Sequence, residues 1–388
     1  MTLPRLLFTY CLCLLAFHPA TLLRADSGDY LLIQDELRIQ HIRLVEIRGD
    51  SLVHLKDGLW ITVDLNECIA ILHTKKKSSR SVEGVLVLTD GQRFPGVPAS
   101  VFDQTDGELN WNHRWLGRLD IPLDDIQSVV FQPGATVPEP GDGDVLRLVN
   151  GDRFDGFIVS LHDPVEIEVD NDGERQLTEV PRSNVASVRM VSRPRKGTSR
   201  RVWFDNGTVL DVDTIEVGDD GFVQLNSTWL STGTKPIPVK LAELDSILLD
   251  PDRLLALATL EPSRVEGPAS RYTLTRPERL NPDAALNLSA IEFRGPILAR
   301  YSLPPDCRRF ATRATIPPDS RHWADFDLII RINDDEVFKT RMNSENPSVE
   351  INIPLDGVEL TIELTEGGHG PIQDHVIFEY PMLLLQRD

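Results

Sequence analysis

Hydrophobic and polar residues alternate along most of this chain, most clearly near its C-terminus. Every second residue from Val358 to Leu364 is apolar, which is the period of a strand with one buried face. Residues 366–371 then contain three glycines and one proline, and a second apolar run follows at 376–385. Because glycine and proline favour tight turns, this pattern predicts two strands that flank a turn.

Strand-like patterns also repeat between residues 30 and 250. Three apolar residues at offsets of 0, 5 and 8 close each copy, and the first of the three is Val63, Ile121, Val180 or Val239. These positions recur at steps of 58, 59 and 59 residues. Such regular spacing predicts four homologous structural units.

Each copy contains hairpin signals between its short apolar runs. Asp90-Gly91, Asn150-Gly151 and Asn206-Gly207 are dipeptides that tolerate the positive φ angles of tight hairpin turns. A copy with about four or five short strands predicts a small barrel, similar to Sm-like and SH3-like barrels. This resemblance concerns the fold and implies no activity.

These patterns predict an all-β protein with four tandem small β-barrel repeats and a C-terminal jelly-roll β-sandwich. No amphipathic helical pattern longer than about three turns interrupts the strands. The predicted divisions are a signal peptide at 1–25, repeats at 30–73, 84–131, 144–191 and 200–250, and the sandwich at 265–388.

The N-terminal residues have the features of an export signal. Arg5 supplies a positive charge, residues 6–17 are apolar, and Ala25 is a small residue at a suitable cleavage position. The apolar segment is shorter than the roughly 20 residues of a membrane-spanning helix. We expect a secreted, periplasmic or cell-surface protein with no membrane span after cleavage, and an uncleaved N-terminal anchor is the alternative.

Charge and cysteine content narrow the possibilities further. The chain has 40 basic and 60 acidic residues, a net charge of −20, which disfavours binding to phosphate backbones. We therefore expect no nucleic-acid partner. Cys68 and Cys307 lie in separate apolar segments, which favours two buried thiols over a disulfide.

The C-terminal turn resembles a known family. Gly367-Gly-x-Gly370, followed by Asp374-His375 and an apolar terminal strand, is similar to the end of the NPCBM family of carbohydrate-binding modules. These modules are jelly-roll sandwiches often attached to glycoside hydrolases. Residues 300–310 and 326–338 resemble the middle strands of that family. The resemblance covers residues 265–388 and implies a glycan-binding sandwich.

The chain departs from the family pattern at two positions and in one segment, 293–297, where the small-residue and histidine signature of the family is absent. His369 stands where the family usually has aspartate, and Phe378 stands where it usually has tryptophan. Both positions lie in or beside the turn. The resemblance therefore implies the fold more directly than it implies a conserved sugar site.

The turn and the strands around it supply the candidate ligand-binding residues. Imidazole and carboxylate groups can hydrogen-bond sugar hydroxyls, and aromatic rings can stack on a sugar ring. The candidates are His369, Asp374, His375, Tyr380, Tyr301 and Trp323. Alternatively, Asp374 and His375 bond each other or the backbone and keep the turn closed. Because their spacing matches no metal-ligand motif, we predict no metal site.

No catalytic motif accompanies these residues. The nucleophile elbow, zinc-binding helix, phosphate loop and Cys-x-x-Cys patterns are absent from the sequence. We therefore predict a non-catalytic protein without cofactors that binds a polysaccharide or an envelope glycan through its sandwich. The alternatives are a structural scaffold whose repeats bind other proteins and a divergent glycoside hydrolase or hydrolase accessory.

Overall fold

The computed structural model describes residues 29–74, 83–99, 107–171, 174–193, 195, 197, 200–227, 239–267, 276–281, 283–370 and 373–387. The predicted signal peptide lies outside these residues. The described chain consists of β-strands, short 3-10 turns and loops, so the predicted all-β class is confirmed. In the same ranges, no helix is long and apolar enough to cross a membrane.

Four β-units precede the sandwich and are numbered in chain order. Unit 1 contains β1 (Asp29–Gln34), β2 (Arg38–Arg48), β3 (Ser51–Lys56), β4 (Leu59–Asp64) and β5 (Cys68–His73). Unit 2 contains β6 (Gly84–Leu88), β7 (Arg93–Pro98), β8 (Glu108–His113), β9 (Gly117–Pro122) and β10 (Ile126–Val130). Unit 3 contains β11 (Asp144–Leu148), β12 (Arg153–Ser160), β13 (Val165–Asn171), β14 (Glu174–Val180) and β15 (Val185–Arg189). Unit 4 contains β16 (Arg200–Phe204), β17 (Val209–Val212), β18 (Thr214–Val217), β19 (Phe222–Asn226), β20 (Val239–Lys240) and β21 (Leu244–Leu248).

The last strand of each unit returns to pair with the first strand of that unit. The pairs are β5 with β1, β10 with β6, β15 with β11 and β21 with β16, all antiparallel. One 3-10 turn precedes each last strand, at Leu65–Glu67, Leu123–Asp125, Arg182–Asn184 and Leu241–Glu243. The apolar closing residues found in the sequence are buried, except for the half-buried Val63.

The four units form one open network of hydrogen-bonded strands rather than four closed barrels. Closing strand β5 also pairs with β21, and β10 also pairs with β15. Single bridges join β7 to β17 and β2 to β18. Each closing strand thus pairs with its own unit along one edge and with a neighbouring unit along the other. That second edge is therefore not free to complete a barrel within its own unit. We call this network of 21 strands the array.

The C-terminal region is a sandwich of two antiparallel sheets, which confirms the predicted sandwich architecture. One sheet contains β22 (Leu254–Ala256), β24 (Glu278–Arg279), β25 (Ile291–Arg294), β27 (Cys307–Thr315), β30 (Ser348–Pro354) and β32 (His375–Leu385). The other contains β23 (Arg264–Glu266), β26 (Ile297–Ser302), β28 (Asp325–Ile332), β29 (Asp335–Asn343) and β31 (Glu359–Leu364). Further 3-10 turns lie at Asp35–Leu37, Leu257–Thr259 and Ala285–Asn287.

Burial in the cores of the sandwich and the array explains two features of the sequence. Phe378 is fully buried and packs against Phe293 at 4.9 Å between ring centroids, so it belongs to the sandwich core. Cys68 and Cys307 are free and buried, as predicted. Burial raises the pKa of Cys68 to about 12 and that of Cys307 to about 11, which makes both thiols unreactive.

Unit 1 and the sandwich meet along a contact that we call the seam. Its centre is an apolar cluster that includes Leu31, Ile33, Ile69, Leu286, Met382 and Leu384. At its margin, Asn352 Nδ2 donates to the backbone oxygen of Glu36 at 3.1 Å. Ion pairs between Arg309 and Glu36 and between Arg253 and Asp35 cross the same contact. Side chains therefore join the sandwich to the array, whereas backbone pairing joins the units.

Candidate functional site

The loop between β31 and β32 folds tightly against the start of β28. A Cβ added to Gly367 would lie 1.1 Å from the backbone oxygen of Asp325, so glycine is required for this approach. Gly370 has a φ of +70°, the left-handed conformation that glycine adopts readily. The glycines of the sequence motif therefore bring the loop onto the β28 strand.

Asp374 holds the other end of this loop from within the protein. It is fully buried, its Oδ1 accepts from the backbone N–H of Asp325 at 3.2 Å, and its backbone oxygen accepts from Gly295 at 2.7 Å. Its Oδ2 is buried without a hydrogen-bond partner among the residues that the structure describes. Burial raises the pKa of Asp374 to about 6. This is the loop-closing role expected of Asp374 in the alternative interpretation.

His375 lies half-buried at the start of β32. Its Nδ1 is 3.3 Å from Ser320 Oγ and 3.8 Å from Glu292 Oε1. Burial and the nearby Arg294 charge lower the pKa of His375. Because the hydroxyl and the carboxylate both approach the same ring nitrogen, the three groups do not form the relay of a nucleophilic triad.

Two of the candidate residues form an exposed aromatic surface beside the loop. Trp323 is 48% exposed. Its ring lies 5.7 Å from His369 and 4.8 Å from His322, nearly perpendicular to both. We call His322, Trp323 and His369 the ledge. His322 was not among the sequence candidates, although its position directly before Trp323 was a usable signal.

A network of charged side chains connects strands β28 and β29 to the loop that carries His369. Arg341 donates to both carboxylate oxygens of Asp325 at 2.7 Å and to Asp327 at 3.2 Å. Asp325 Oδ2 also accepts from the backbone N–H of Gly368 at 3.1 Å. Hydrogen bonds from Arg341 lower the pKa of Asp325, so this carboxylate is charged at neutral pH. The network ties strands β28 and β29 to the glycine loop.

The two tyrosine candidates lie elsewhere. Tyr301 is 1% exposed and belongs to the sandwich core, so the expectation that it stacks on a sugar is wrong: both faces of its ring are covered. Tyr380 packs at the seam. The structure therefore brings together His369, Asp374, His375 and Trp323, and separates both tyrosines from them.

The described residues contain no group of three or more His, Cys, Asp or Glu side chains arranged to hold a metal ion. The ledge exposes one indole and two imidazoles. Its indole can cover an apolar face, and its imidazoles can donate or accept hydrogen bonds.

No protein-family model and no curated protein matches this chain. Similar solved structures include the CBM51 of a Clostridium perfringens GH95 in complex with methyl-galactose, which is 17% identical with a TM-score of 0.29 and covers 34% of this chain and 99% of that chain. The tandem CBM51 modules of Streptococcus pneumoniae Sp3GH98 are 10% identical with a TM-score of 0.29 and cover 92% of this chain and 88% of that chain. The M60 catalytic domain with two CBM51 domains from Clostridium perfringens ZmpB is 11% identical with a TM-score of 0.31 and covers 81% of this chain and 32% of that chain. These scores and identities are low, so the likenesses do not identify a ligand for this chain.

Proposed function

We propose that this protein is a non-catalytic carbohydrate-binding protein that contacts a glycan through the ledge of its sandwich. The observation that carries this proposal is the half-exposed ring of Trp323, held between two histidine rings. An exposed aromatic ring offers a flat apolar face on which the C–H face of a sugar can stack. The resemblance of residues 265–388 to the NPCBM family supports the same function.

The histidines of the ledge are suited to sugar hydroxyls. His322 and His369 are exposed, and neither imidazole has a hydrogen-bond partner among the side chains that the structure describes. Their ring nitrogens are therefore available as donors and acceptors. A sugar stacked on the indole places its ring hydroxyls beside these nitrogens.

The buried part of the loop makes the ledge rigid before a ligand arrives. Gly367 fixes the loop against β28, and Asp374 bonds the backbone of the same strand. A site that is already ordered loses less conformational entropy on binding. Asp374 thus acts in binding by positioning the loop rather than by touching the glycan.

The export signal predicted at 1–25 supports a secreted, periplasmic or cell-surface location, where polysaccharides and envelope glycans are accessible. The array then serves as a spacer that carries the sandwich. A scaffold role is the second candidate, because Leu59 and Trp60 are 68% and 67% exposed on edge strand β4. An exposed edge strand can accept a strand from a partner protein.

Calorimetric titration of the full chain against a broad polysaccharide panel tests the proposal. Trp323→Ala should weaken binding of the best saccharide by about tenfold, which corresponds to about 1.4 kcal/mol of lost stacking. Trp60→Ala is the control, because it removes an indole of the array that is even more exposed than Trp323, at 67% against 48%, and it should leave the affinity unchanged. Absence of binding to every saccharide, or an affinity that depends on Trp60 instead of Trp323, would contradict the proposal.

A further inference from the structure

A groove of about 660 Å³ opens over the seam between unit 1 and the sandwich. It shares no lining residue with the ledge. Its volume lies within the range of small-molecule sites, which occur preferentially where domains meet. Unit 1 forms one wall through the start of β2 and the end of β3, and the sandwich forms the other through β27, β30 and β32.

Tyr380 is placed in this groove by a β-bulge. The register between β27 and β32 shifts between Ala311 and Arg313, and Thr312 Oγ1 fixes the bulge by donating to the backbone oxygen of Glu379 at 2.9 Å. Tyr380 has a φ of 49°, a conformation that bulky residues rarely adopt. Bulges of this kind redirect a side chain, and here Tyr380 lines both the groove and an adjoining opening of about 350 Å³.

The unit 1 wall of the groove is cationic. Lys56 Nζ donates to Gln40 Oε1 at 3.2 Å, and Gln40 in turn donates to Gln34 Oε1 at 2.6 Å. Arg38 donates to the backbone oxygen of Asp35 at 3.3 Å. Within the described ranges, neither Lys56 nor Arg38 has a carboxylate partner. In a chain with 60 acidic residues, two cations that line one groove without a carboxylate partner indicate that an anionic group can bind there.

The sandwich wall carries the opposite chemistry. Glu379 is half-buried and lines the groove, while Glu350 pairs with Arg313 at 3.5 Å. Carboxylates accept hydrogen bonds from hydroxyl groups and repel a ligand that is anionic throughout. A neutral sugar, in turn, would leave the charge of Lys56 without a partner. The two walls together match a ligand with a single carboxylate on one side and hydroxyls on the other.

We propose that the seam groove is a second binding site, which takes an acidic saccharide of the uronic-acid class. Its carboxylate lies against Lys56 and Arg38, its ring packs on Tyr380, and its hydroxyls donate to Glu379. The site depends on both unit 1 and the sandwich. The array therefore completes a binding site as well as carrying the ledge.

Titration of the full chain with galacturonate, which carries one carboxylate, and with its neutral methyl ester tests this site. The acid should bind at least about tenfold more tightly than the ester, and added salt should remove the difference because it screens the charge of Lys56. Lys56→Met should weaken binding of the acid by about tenfold. Lys240→Met, which removes an exposed lysine of unit 4, is the matched control and should have no effect.

A second variant tests the role of the aromatic ring without disturbing the bulge. Asparagine tolerates a positive φ better than other non-glycine residues, so Tyr380→Asn should remain folded, with a lower melting temperature because seam packing is lost, and should weaken galacturonate binding by about tenfold. Trp323→Ala should leave that affinity unchanged, which separates this site from the ledge. Equal binding of acid and ester, equal effects of the two lysine variants, unchanged binding by Tyr380→Asn, or no binding by the folded protein would each overturn the proposal.

Discussion

His113 in the array and Asp374 in the sandwich are both titratable groups buried at structural junctions, but they respond to pH in opposite directions. In the array, His113 is 3% exposed, and its Nε2 lies 2.9 Å from Thr208 Oγ1, which links unit 2 to unit 4. Its Nδ1 accepts from the backbone N–H groups of Trp115 and Leu116, so Nε2 carries the proton. In the sandwich, Asp374 closes the glycine loop.

Burial favours the neutral form of both groups. The neutral form of His113 is the deprotonated imidazole, whereas the neutral form of Asp374 is the protonated carboxyl group. Burial lowers the pKa of His113 to about 4 and raises that of Asp374 to about 6. The contribution of neutral His113 to the free energy of unfolding is fully present above pH 6.5 and is lost as pH falls through 4. The Asp374 contribution is fully present below pH 3.8 and is lost as pH rises through 6. The array should therefore tolerate neutral pH better than acid, and the glycine loop should do the reverse.

Gly367→Ala should give the largest effect and should confine it to the sandwich. A Cβ would lie 1.1 Å from the backbone oxygen of Asp325, so either the loop or β28 must move. We expect a loss of about 4 kcal/mol in the free energy of unfolding, within the range for backbone clashes at special positions. Denaturant unfolding measures the loss, and hydrogen exchange should become faster in β28 and β31 while β8 and β9 keep their protection.

Gly134→Ala is the control for this substitution. Gly134 has a positive φ, of +82°, but no atom lies within 4 Å of its added Cβ. Gly134→Ala should therefore lower the free energy of unfolding by only about 1–2 kcal/mol, through backbone strain. If the two alanine variants lose equal stability, close contact with β28 is not what requires glycine at 367.

His113→Asn should remove the acid sensitivity of the array. The change in pKa from 6.5 to about 4 corresponds to about 3 kcal/mol of stability that the wild type loses on acidification, at about 1.4 kcal/mol per pKa unit. The asparagine Oδ1 can still accept from the two backbone N–H groups. The variant should be about 1 kcal/mol less stable at pH 7, through loss of the Thr208 bond, with a flatter profile below pH 6.

Melting temperatures between pH 4 and 8 check this expectation, with His41→Asn as the control at an exposed histidine of unit 1. An acid-induced loss of the same size in the wild type and in the His113 variant would show that another group controls the acid limit of the array.

Much of the fold could be predicted because side-chain period and spacing reflect burial. The closing residues Ile126, Val185 and Leu244 are fully buried, as their recurrence indicates. The pairing of closing strands between units was not predictable, since β5 and β21 meet through backbone hydrogen bonds that every sequence can make. The sequence pattern therefore identified the units but not the open network that joins them.

The candidate site was predictable only where its residues are close in the chain. His369, Asp374 and His375 share one loop, whereas Trp323 joins them from the segment before β28, which no spacing rule connects to that loop. Tyr380 follows the strand pattern of β32, but the bulge turns it toward the seam. Tyr301 shows the remaining difficulty, because an aromatic residue in a strand has the same pattern whether it lines a site or fills the core.

Asp374→Asn should give the smallest change in the free energy of unfolding. Its dependence on pH should be opposite in direction to that of His113. The asparagine Oδ1 can keep the bond from Asp325, while its NH₂ group replaces a buried oxygen that has no hydrogen-bond partner in the described part of the chain. Removing the charge should gain about 3 kcal/mol above pH 6, and burying the unpaired NH₂ group should cost about 1 kcal/mol. The variant should therefore be about 2 kcal/mol more stable than the wild type at pH 8 and slightly less stable at pH 4. Asp356→Asn, at an exposed aspartate of the sandwich, should change neither value. A gain that is equal at both pH values would mean that the buried charge of Asp374 does not limit the stability of the loop.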